Sequence, residues 1–187
     1  HVMRDSSCNS FAMPNGCIFV NTGLLARIEN EAQIATILGH EMAHVLFRHA
    51  ALRSAQADES AKKARYLSAA GYLIAGGIGM YAVEDMSFRS STAGYSRDTE
   101  READSEGFRM AQKSGYDMTQ APAAFRHLIK DLEDFGEDGS SCGMYSDHPA
   151  LNDRIDSFNG LLREYRAANG AIREREYRSA VRGVLAD

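Results

Sequence analysis

The sequence lacks the features that mark several large classes of protein. Its 187 residues leave room for one domain, which excludes a large multidomain assembly. Lys and Arg number 21 against 26 Asp and Glu, a net charge of −5, and no basic stripe alternates with aromatic residues. Because this balance gives no attraction to a phosphate backbone, we expect no nucleic-acid partner.

Cysteine is also scarce. Cys8, Cys17 and Cys142 cannot all pair within one chain, and none stands in a C-x-x-C spacing, so redox or thiolate-metal chemistry of that kind is not indicated. One disulfide stays open, but no pairing follows. The chain opens at His1-Val2 without an initiator Met or an apolar signal segment, and we interpret this start as a cut into a longer precursor.

Strand signals are confined to the beginning of the chain. Apolar runs at 11–13 and 17–20 flank the turn residues 14–16 and predict a β-hairpin, with 1–3 as a candidate third strand. The pattern after Asn21 is that of helices and loops. We therefore predict an α+β, mostly helical fold with a small antiparallel sheet.

The first long helix carries the strongest motif of the sequence. Apolar residues recur at helical spacing and predict a helix from about 30 to 53, with H-E-M-A-H at 40–44 in its middle. Residues four apart share a helical face, so His40 and His44 can hold one ion at the ~2.0–2.1 Å typical of zinc. Glu41 is then placed to act as general base toward a water that the metal acidifies.

A catalytic zinc site needs a third protein ligand, and the candidate is Glu100 from a second helix. That helix is predicted to begin at 98 or 99, and Glu100 and Asp104 share one of its faces. If Glu100 binds the metal, Asp104 can accept the ring N–H of His40 and so fix its tautomer. The alternative is an acidic first turn favoured by the helix dipole, which describes Glu102 well.

Taken in order, these segments resemble the zinc metallopeptidases of the HtpX and CAAX-prenyl-protease type, and among them the soluble cell-envelope branch. The resemblance extends over residues 9–16, 18–25, 40–44, 96–104, 115–117, 148–149 and 154–155. It implies a zincin-like (gluzincin) domain that hydrolyses peptide bonds, with one zinc per chain held by His40, His44 and Glu100. Glu41 is the general base that the resemblance implies.

The same resemblance carries expectations about location and substrate. It implies a bacterial cell-envelope protein, periplasmic or membrane-associated, that acts on damaged or misassembled membrane and envelope proteins. Integral members of the family have several clear spanning helices, whereas this chain offers at most one and has a mean hydropathy of −0.38. It is therefore more similar to the soluble members.

We predict one metallopeptidase domain over residues 1–187. The small sheet occupies 1–21, the metal-site helices 30–115, and the C-terminal helices 150–187. An uncharged run with four glycines, 66–83, is an insert between the two halves of the metal site and just reaches the lower length limit of a membrane span. A buried or lid-forming helix is the favoured interpretation, and membrane contact or a disordered flap are the alternatives.

Three further residues are weighed for a role near the metal. In the family that this chain resembles, a His-Pro pair at the place of His148 approaches the metal, either as a donor to the developing oxyanion or as a fourth ligand that keeps the enzyme latent; a helix cap is the alternative. Arg154 either points back to the same place or forms a surface salt bridge. His49 follows His44 by five residues, about 140° around a helix at ~100° per residue, which predicts a non-ligand.

Asn9, Ser10, Phe11 and Ala12 are predicted to form an edge strand that pairs with an extended polypeptide substrate. An ordinary hairpin packed on the helices requires the same strand. The predicted function is that of a zinc metalloendopeptidase, with no oligomeric state implied. The alternative is a zinc-stabilised, chaperone-like module that holds misfolded envelope proteins without cutting them.

Overall fold

The computed structural model describes residues 1–75, 95–135, 151–165 and 170–186. The chain begins with three short strands, β1 (Val2–Met3), β2 (Ser10–Ala12) and β3 (Ile18–Asn21). Most of the remaining described residues are helical: α1 (Thr22–Arg27), α2 (Glu31–Leu46), α3 (His49–Ala75), α4 (Arg97–Lys113), α5 (Ala121–Phe135), α6 (Leu151–Tyr165) and α7 (Glu174–Ala186). The predicted α+β, mostly helical fold class is confirmed.

The sheet has the strand order β1-β3-β2. The predicted hairpin is present: β2 runs antiparallel to β3 with Phe11 opposite Phe19, and these two rings stack with their centroids 5.2 Å apart. β1 runs parallel to β3, so the prediction of an antiparallel sheet is wrong for this strand. The sheet is mixed because β2 reverses the chain direction and pairs with the side of β3 away from β1, which leaves β2 at an edge.

The hairpin loop turns at Gly16, whose φ of 90° suits glycine because a side chain would be strained there. Its N–H donates to the carbonyl oxygen of Met13 at 2.9 Å. Cys8 is buried and Cys17 half-buried, and no disulfide joins these two. Cys142 lies outside the described residues.

α2 begins as predicted and ends earlier. The side-chain oxygen of Asn30 accepts a hydrogen bond from the Gln33 N–H at 3.0 Å, a standard N-terminal cap. The helix ends at Leu46, not near residue 53. Arg48 adopts a left-handed φ of 56°, which redirects the chain into α3 at His49. No glycine or proline marks this corner, so the hydrophobic pattern extended across it.

α2 and α4 approach each other backbone to backbone at Gly39 and Gly107. A Cβ on Gly107 would lie 2.5 Å from the backbone nitrogen of His40, and one on Gly39 would lie 2.6 Å from the carbonyl oxygen of Gly107. Either side chain would therefore force the helices apart. This close contact brings the face of α4 that carries Glu100 next to the histidines of α2.

The core lies where α4, α5 and α6 meet. Phe108, Phe125 and Phe158 are fully buried, and the rings of Phe125 and Phe158 stack at 5.1 Å. The last helix, α7, is tied to α1 by the hydroxyl of Tyr177, which donates to the carbonyl oxygen of Leu25 at 2.8 Å, and burial raises the pKa of this phenol. The two predicted C-terminal helices are thus present as α6 and α7.

The uncharged run 66–83 divides between described and undescribed parts of the chain. Residues up to Ala75 continue helix α3, whose 27 residues make it the longest of the described helices. The rest of the run, 76–83, lies outside the described residues. Among the helices that are described, none is both long and apolar enough to cross a lipid bilayer.

Candidate metal centre

Three side chains from two helices converge at the contact between α2 and α4. The Nε2 atoms of His40 and His44 are 2.9 Å apart, as their spacing on one helical face predicts. The two carboxylate oxygens of Glu100 lie 3.5 Å from Nε2 of His40 and 3.6 Å from Nε2 of His44. All three side chains are at most 2% exposed. The structure therefore brings together the three predicted metal ligands.

The spacing and chemistry of these donors fit a zinc ion. Tetrahedral coordination with bonds of ~2.0–2.1 Å places neighbouring donor atoms about 3.3 Å apart, within the range of the three distances seen between His40, His44 and Glu100. Two imidazole nitrogens and a carboxylate form the ligand set of a catalytic zinc site that keeps a coordination position for water or substrate. His40, His44 and Glu100 are the residues that would hold the metal.

α4 begins at Arg97, one or two residues before the predicted start at 98 or 99. Ser96 caps it by accepting a hydrogen bond from the Thr99 N–H at 3.2 Å. Glu100 and Asp104, one turn apart, consequently face α2. The carboxylate of Asp104 lies 2.9 Å from Nδ1 of His40. For Nε2 of His40 to direct its lone pair at the metal position, the proton must be on Nδ1, where Asp104 can accept it.

Arg154 completes the support of His40 from helix α6. Its Nη2 donates to Asp104 Oδ1 at 2.6 Å and its Nε to Oδ2 at 3.0 Å, while Nη1 lies 3.3 Å from Glu100 Oε2. The guanidinium also lies over the ring of Phe125, 4.2 Å from its centroid. Arg154 therefore points back to the metal centre, and the alternative of a surface salt bridge is wrong.

The electrostatics of Arg154 follow from its surroundings. Burial by itself lowers the pKa of its guanidinium, but Asp104, with smaller contributions from Glu100 and Glu41, outweighs burial, and the pKa is raised. The side chain is 2% exposed and contacts the two carboxylates. Arg154 was predicted as catalytic, and in this structure its guanidinium contacts Asp104 and Glu100.

Glu41 lies on α2 between the two histidines and is 1% exposed. The hydroxyl of Ser10, on the edge strand β2, donates to its Oε1 at 3.0 Å. Ser10 was predicted to bind substrate, and its side chain instead contacts the candidate general base. Sequence reasoning missed this contact because it joins residues from a strand and a helix whose packing the pattern does not reveal.

The surroundings of His44 differ from the prediction. Its Nδ1 lies 2.9 Å from Nδ1 of His49, and Nε2 of His49 lies 3.2 Å from a carboxylate oxygen of Glu102. The ring of Tyr95 stacks on that of His44, with centroids 4.2 Å apart. His49 was predicted to point away, about 140° around a continuous helix. The corner at Arg48 ends that helix and returns His49 to the site.

A cleft of about 460 Å³ opens beside His44. The β2–β3 hairpin forms one wall, with Met13 and Pro14, and the corner between α2 and α3 forms the other, with Arg48 and Ala51. The cleft thus connects the edge strand with the metal centre. His148, the remaining predicted site residue, lies outside the described residues.

The site combines two histidines one helical turn apart with a glutamate from a second helix and a glutamate between the histidines. This combination of three metal ligands and a candidate general base is that of zinc metallopeptidases. The mostly helical domain with its edge strand beside this arrangement belongs to the same class of protein.

The chain belongs to peptidase family M48, whose sequence profile matches residues 1–162. Over 153 residues it is 30% identical to the metalloprotease YcaL of Escherichia coli, covering 82% of this chain and 58% of YcaL. Over 171 residues it is 29% identical to a Vibrio cholerae protein described as a beta-barrel assembly-enhancing protease, covering 88% and 34%.

A mitochondrial relative is similar at the same level. The mitochondrial metalloendopeptidase OMA1 of Arabidopsis thaliana is 31% identical over 150 residues, covering 80% of this chain and 28% of OMA1. The chain thus spans between about a quarter and three fifths of the length of these curated relatives.

Proposed function

We propose that this chain is a zinc-dependent metalloendopeptidase that cleaves misfolded or damaged membrane and envelope proteins. The observation that carries the proposal is the buried convergence of His40, His44 and Glu100 beside Glu41. Structural support alone does not require a second helix to bring a carboxylate to within 3.6 Å of two imidazole nitrogens. A ligand set with a general base beside it is the minimum equipment for hydrolysis.

Zinc, when bound, supplies a Lewis acid for a carbonyl group and lowers the pKa of water. The protein's part of the chemistry is the movement of one proton. Glu41 takes that proton on its carboxylate and delivers it to the amine that leaves. Ser10 holds one carboxylate oxygen of Glu41 in place through a 3.0 Å hydrogen bond.

The edge strand offers main-chain recognition of an extended peptide. The residues flanking β2, Asn9 and Met13, hydrogen-bond through their backbones to the β3 side, at 3.0 and 2.8 Å. Because hydrogen-bonded residues alternate along an antiparallel strand, Ser10 and Ala12 direct their N–H and C=O groups to the outer edge. Ser10 is fully buried, so within the proposed docking segment 9–12 it is the backbone of Ala12, next to the cleft at His44, that can pair with a peptide.

The proposed substrates and location draw on the relatives. One of them, from Vibrio cholerae, is described as a beta-barrel assembly-enhancing protease. Recognition through the main chain also suits polypeptides that are unfolded, since a folded protein does not present an extended segment. We propose a periplasmic or membrane-associated location for this chain.

Replacement of the proposed general base tests the activity. Glu41→Gln keeps the shape of the side chain and removes its basicity, so the variant should bind one zinc per chain and lose hydrolysis of casein by at least ~100-fold. Zinc content by metal analysis and release of casein fragments are the two measurements. Glu59→Gln, an exposed change on α3, is the control and should leave both unchanged.

The same experiment separates the two candidate functions. Casein cleavage at the wild-type rate by Glu41→Gln would falsify the assigned role of Glu41. A wild-type protein that binds zinc, prevents aggregation of unfolded proteins and releases no fragments would instead favour the chaperone-like module. Addition of a chelator to the wild type should stop cleavage.

A further inference from the structure

We propose that His49 and Glu102 form a positioning pair that holds the ring of His44 in the orientation and tautomer needed to bind the metal. The inference rests on the proposed function only in that His44 is a zinc ligand. Neither residue was assigned a role by the sequence: His49 was set aside as a non-ligand, and Glu102 was interpreted as an acid that favours the first turn of a helix.

Metal binding by Nε2 of His44 selects one arrangement of protons in this group. Nε2 of His44 faces His40 and Glu100, at 2.9 and 3.6 Å, and must carry its lone pair to bind a metal. Its proton is then on Nδ1, which lies 2.9 Å from Nδ1 of His49. His49 accepts this proton's hydrogen bond on Nδ1 and carries its own proton on Nε2. That N–H donates to Glu102 Oε2 at 3.2 Å.

The backbone is shaped to make this contact. A helix continuing past Leu46 would carry His49 around to a different side, whereas the left-handed φ of Arg48 returns it to His44. His49 is 5% exposed, so its ring nitrogens cannot rely on water for their hydrogen bonds. Glu102, on α4, is 57% exposed and meets His49 at the edge of the site. A non-glycine residue in the left-handed region is a backbone cost that this contact accounts for.

The role is one of orientation, because His49 is separated from the metal position by His44. Residues that hydrogen-bond to the distal nitrogen of a ligand histidine fix its tautomer and ring angle, and their loss typically weakens metal binding ~10–100-fold. Tyr95 already packs on one face of His44 with a ring separation of 4.2 Å, so packing restrains the tilt of the ring. Packing does not decide which nitrogen of His44 bears the proton. The contact of its Nδ1 with His49 does.

Three substitutions at position 49 separate orientation from packing. His49→Leu fills the space without an acceptor and should weaken zinc binding by ~10-fold or more. His49→Asn places its amide oxygen where Nδ1 stands and should restore affinity to within about 3-fold of the wild type. His49→Gln carries its amide one carbon further, away from that place, and should resemble His49→Leu. Zinc dissociation constants are measured on the purified chain by competition with a chromophoric chelator.

Glu102 provides a second variant that does not threaten folding, since its side chain is largely exposed. Glu102→Ala should weaken zinc binding by about 3- to 10-fold, less than His49→Leu, because Glu102 acts one hydrogen bond further from the ligand. Asp98→Ala, one turn earlier on α4 and paired with Arg101, is the matched control and should leave the affinity unchanged. The visible spectrum of the Co²⁺-substituted protein should shift for His49→Leu and not for Asp98→Ala.

Two outcomes overturn the inference. Zinc affinity of His49→Leu within 2-fold of the wild type shows that His49 only fills space, and an equal loss for His49→Asn and His49→Leu shows that the Nδ1 acceptor is not what matters. Both can occur while the wild type still digests casein. Conversely, the expected order of zinc affinities in a protein that cleaves nothing supports the positioning pair and removes the proposed function.

Discussion

The two histidines of the metal centre are supported in opposite ways. His40 contacts a carboxylate that is 0% exposed, Asp104, whose charge is balanced by the buried Arg154. His44 contacts the imidazole of His49, and beyond His49 lies the carboxylate of Glu102, which is 57% exposed. One support is a dry ionic cluster and the other a chain of hydrogen bonds that ends in solvent.

The difference between the two supports indicates which side of the metal centre tolerates substitution. Carboxylates held away from water need a countercharge, so Asp104, Glu100 and Arg154 depend on one another, and the loss of one leaves the others buried without compensation. A carboxylate at the surface keeps its hydration, so Glu102 can be changed at small cost. We expect the His40 side to control whether the domain folds and the His44 side to tune how tightly it binds metal.

The largest effect is expected from breaking the ionic side. Asp104→Asn leaves Arg154 facing an amide and should lower the free energy of unfolding by about 3 kcal/mol. Urea unfolding in the presence of EDTA measures this without the contribution of bound metal. Asp153→Asn, on the exposed pair with Arg97, should change the stability by less than about 0.5 kcal/mol. Equal losses in the two variants would contradict the comparison.

The second-largest effect is expected from a change in the distance between α2 and α4. Gly107→Ala places a methyl group against the backbone of His40 and should lower the free energy of unfolding by about 1–3 kcal/mol and weaken zinc binding. Gly183→Ala, at a position of α7 where nothing lies within 4 Å, should instead raise stability by about 0.5–1 kcal/mol. Thermal unfolding of both apo-variants, beside the wild type, checks the opposite signs.

The smallest effect concerns salt. Because the Debye length falls to about 3 Å in 1 M salt, the charge of Glu102 should be screened at its exposed position, and the zinc-affinity penalty of Glu102→Ala should shrink to about 2-fold. Asp104→Asn should also weaken zinc binding, since Asp104 contacts Nδ1 of His40, and this loss should be the same at both salt concentrations because Asp104 is buried. Zinc titrations at 0.1 and 1 M NaCl compare the two. A salt-independent penalty for Glu102→Ala would mean that its carboxylate acts by hydrogen bonding alone.

The parts of the site that depend on helical spacing could be predicted from the sequence. His40 and His44 lie one turn apart on α2, and Glu100 and Asp104 lie one turn apart on α4, so each pair shares a face once its helix is recognised. The residue types then pointed to a metal, and the contact of Asp104 with His40 followed from chemistry. The hairpin could also be predicted because its signal is local in the sequence: turn residues separate two apolar runs.

The missed features depend on information that is not local. The corner at Arg48 has no glycine or proline to mark it, and a helix continued in its place predicts the wrong direction for His49. The contact of Ser10 with Glu41 joins two elements whose relative position comes from packing. The parallel pairing of β1 with β3 also depends on how the strands assemble. In each case tertiary structure, and not local propensity, decides the outcome.

The approach of Gly39 and Gly107 has a consequence for how such a centre can vary. At this crossing neither glycine has a side chain between the two backbones. No change of rotamer can therefore widen or narrow the distance between α2 and α4. The distance between the metal ligands on α2 and the ligand on α4 is accordingly set by the backbone itself. Metal preference and affinity can instead vary through His49 and Glu102 at the edge of the site. These two residues can be replaced without changing the distance between the helices.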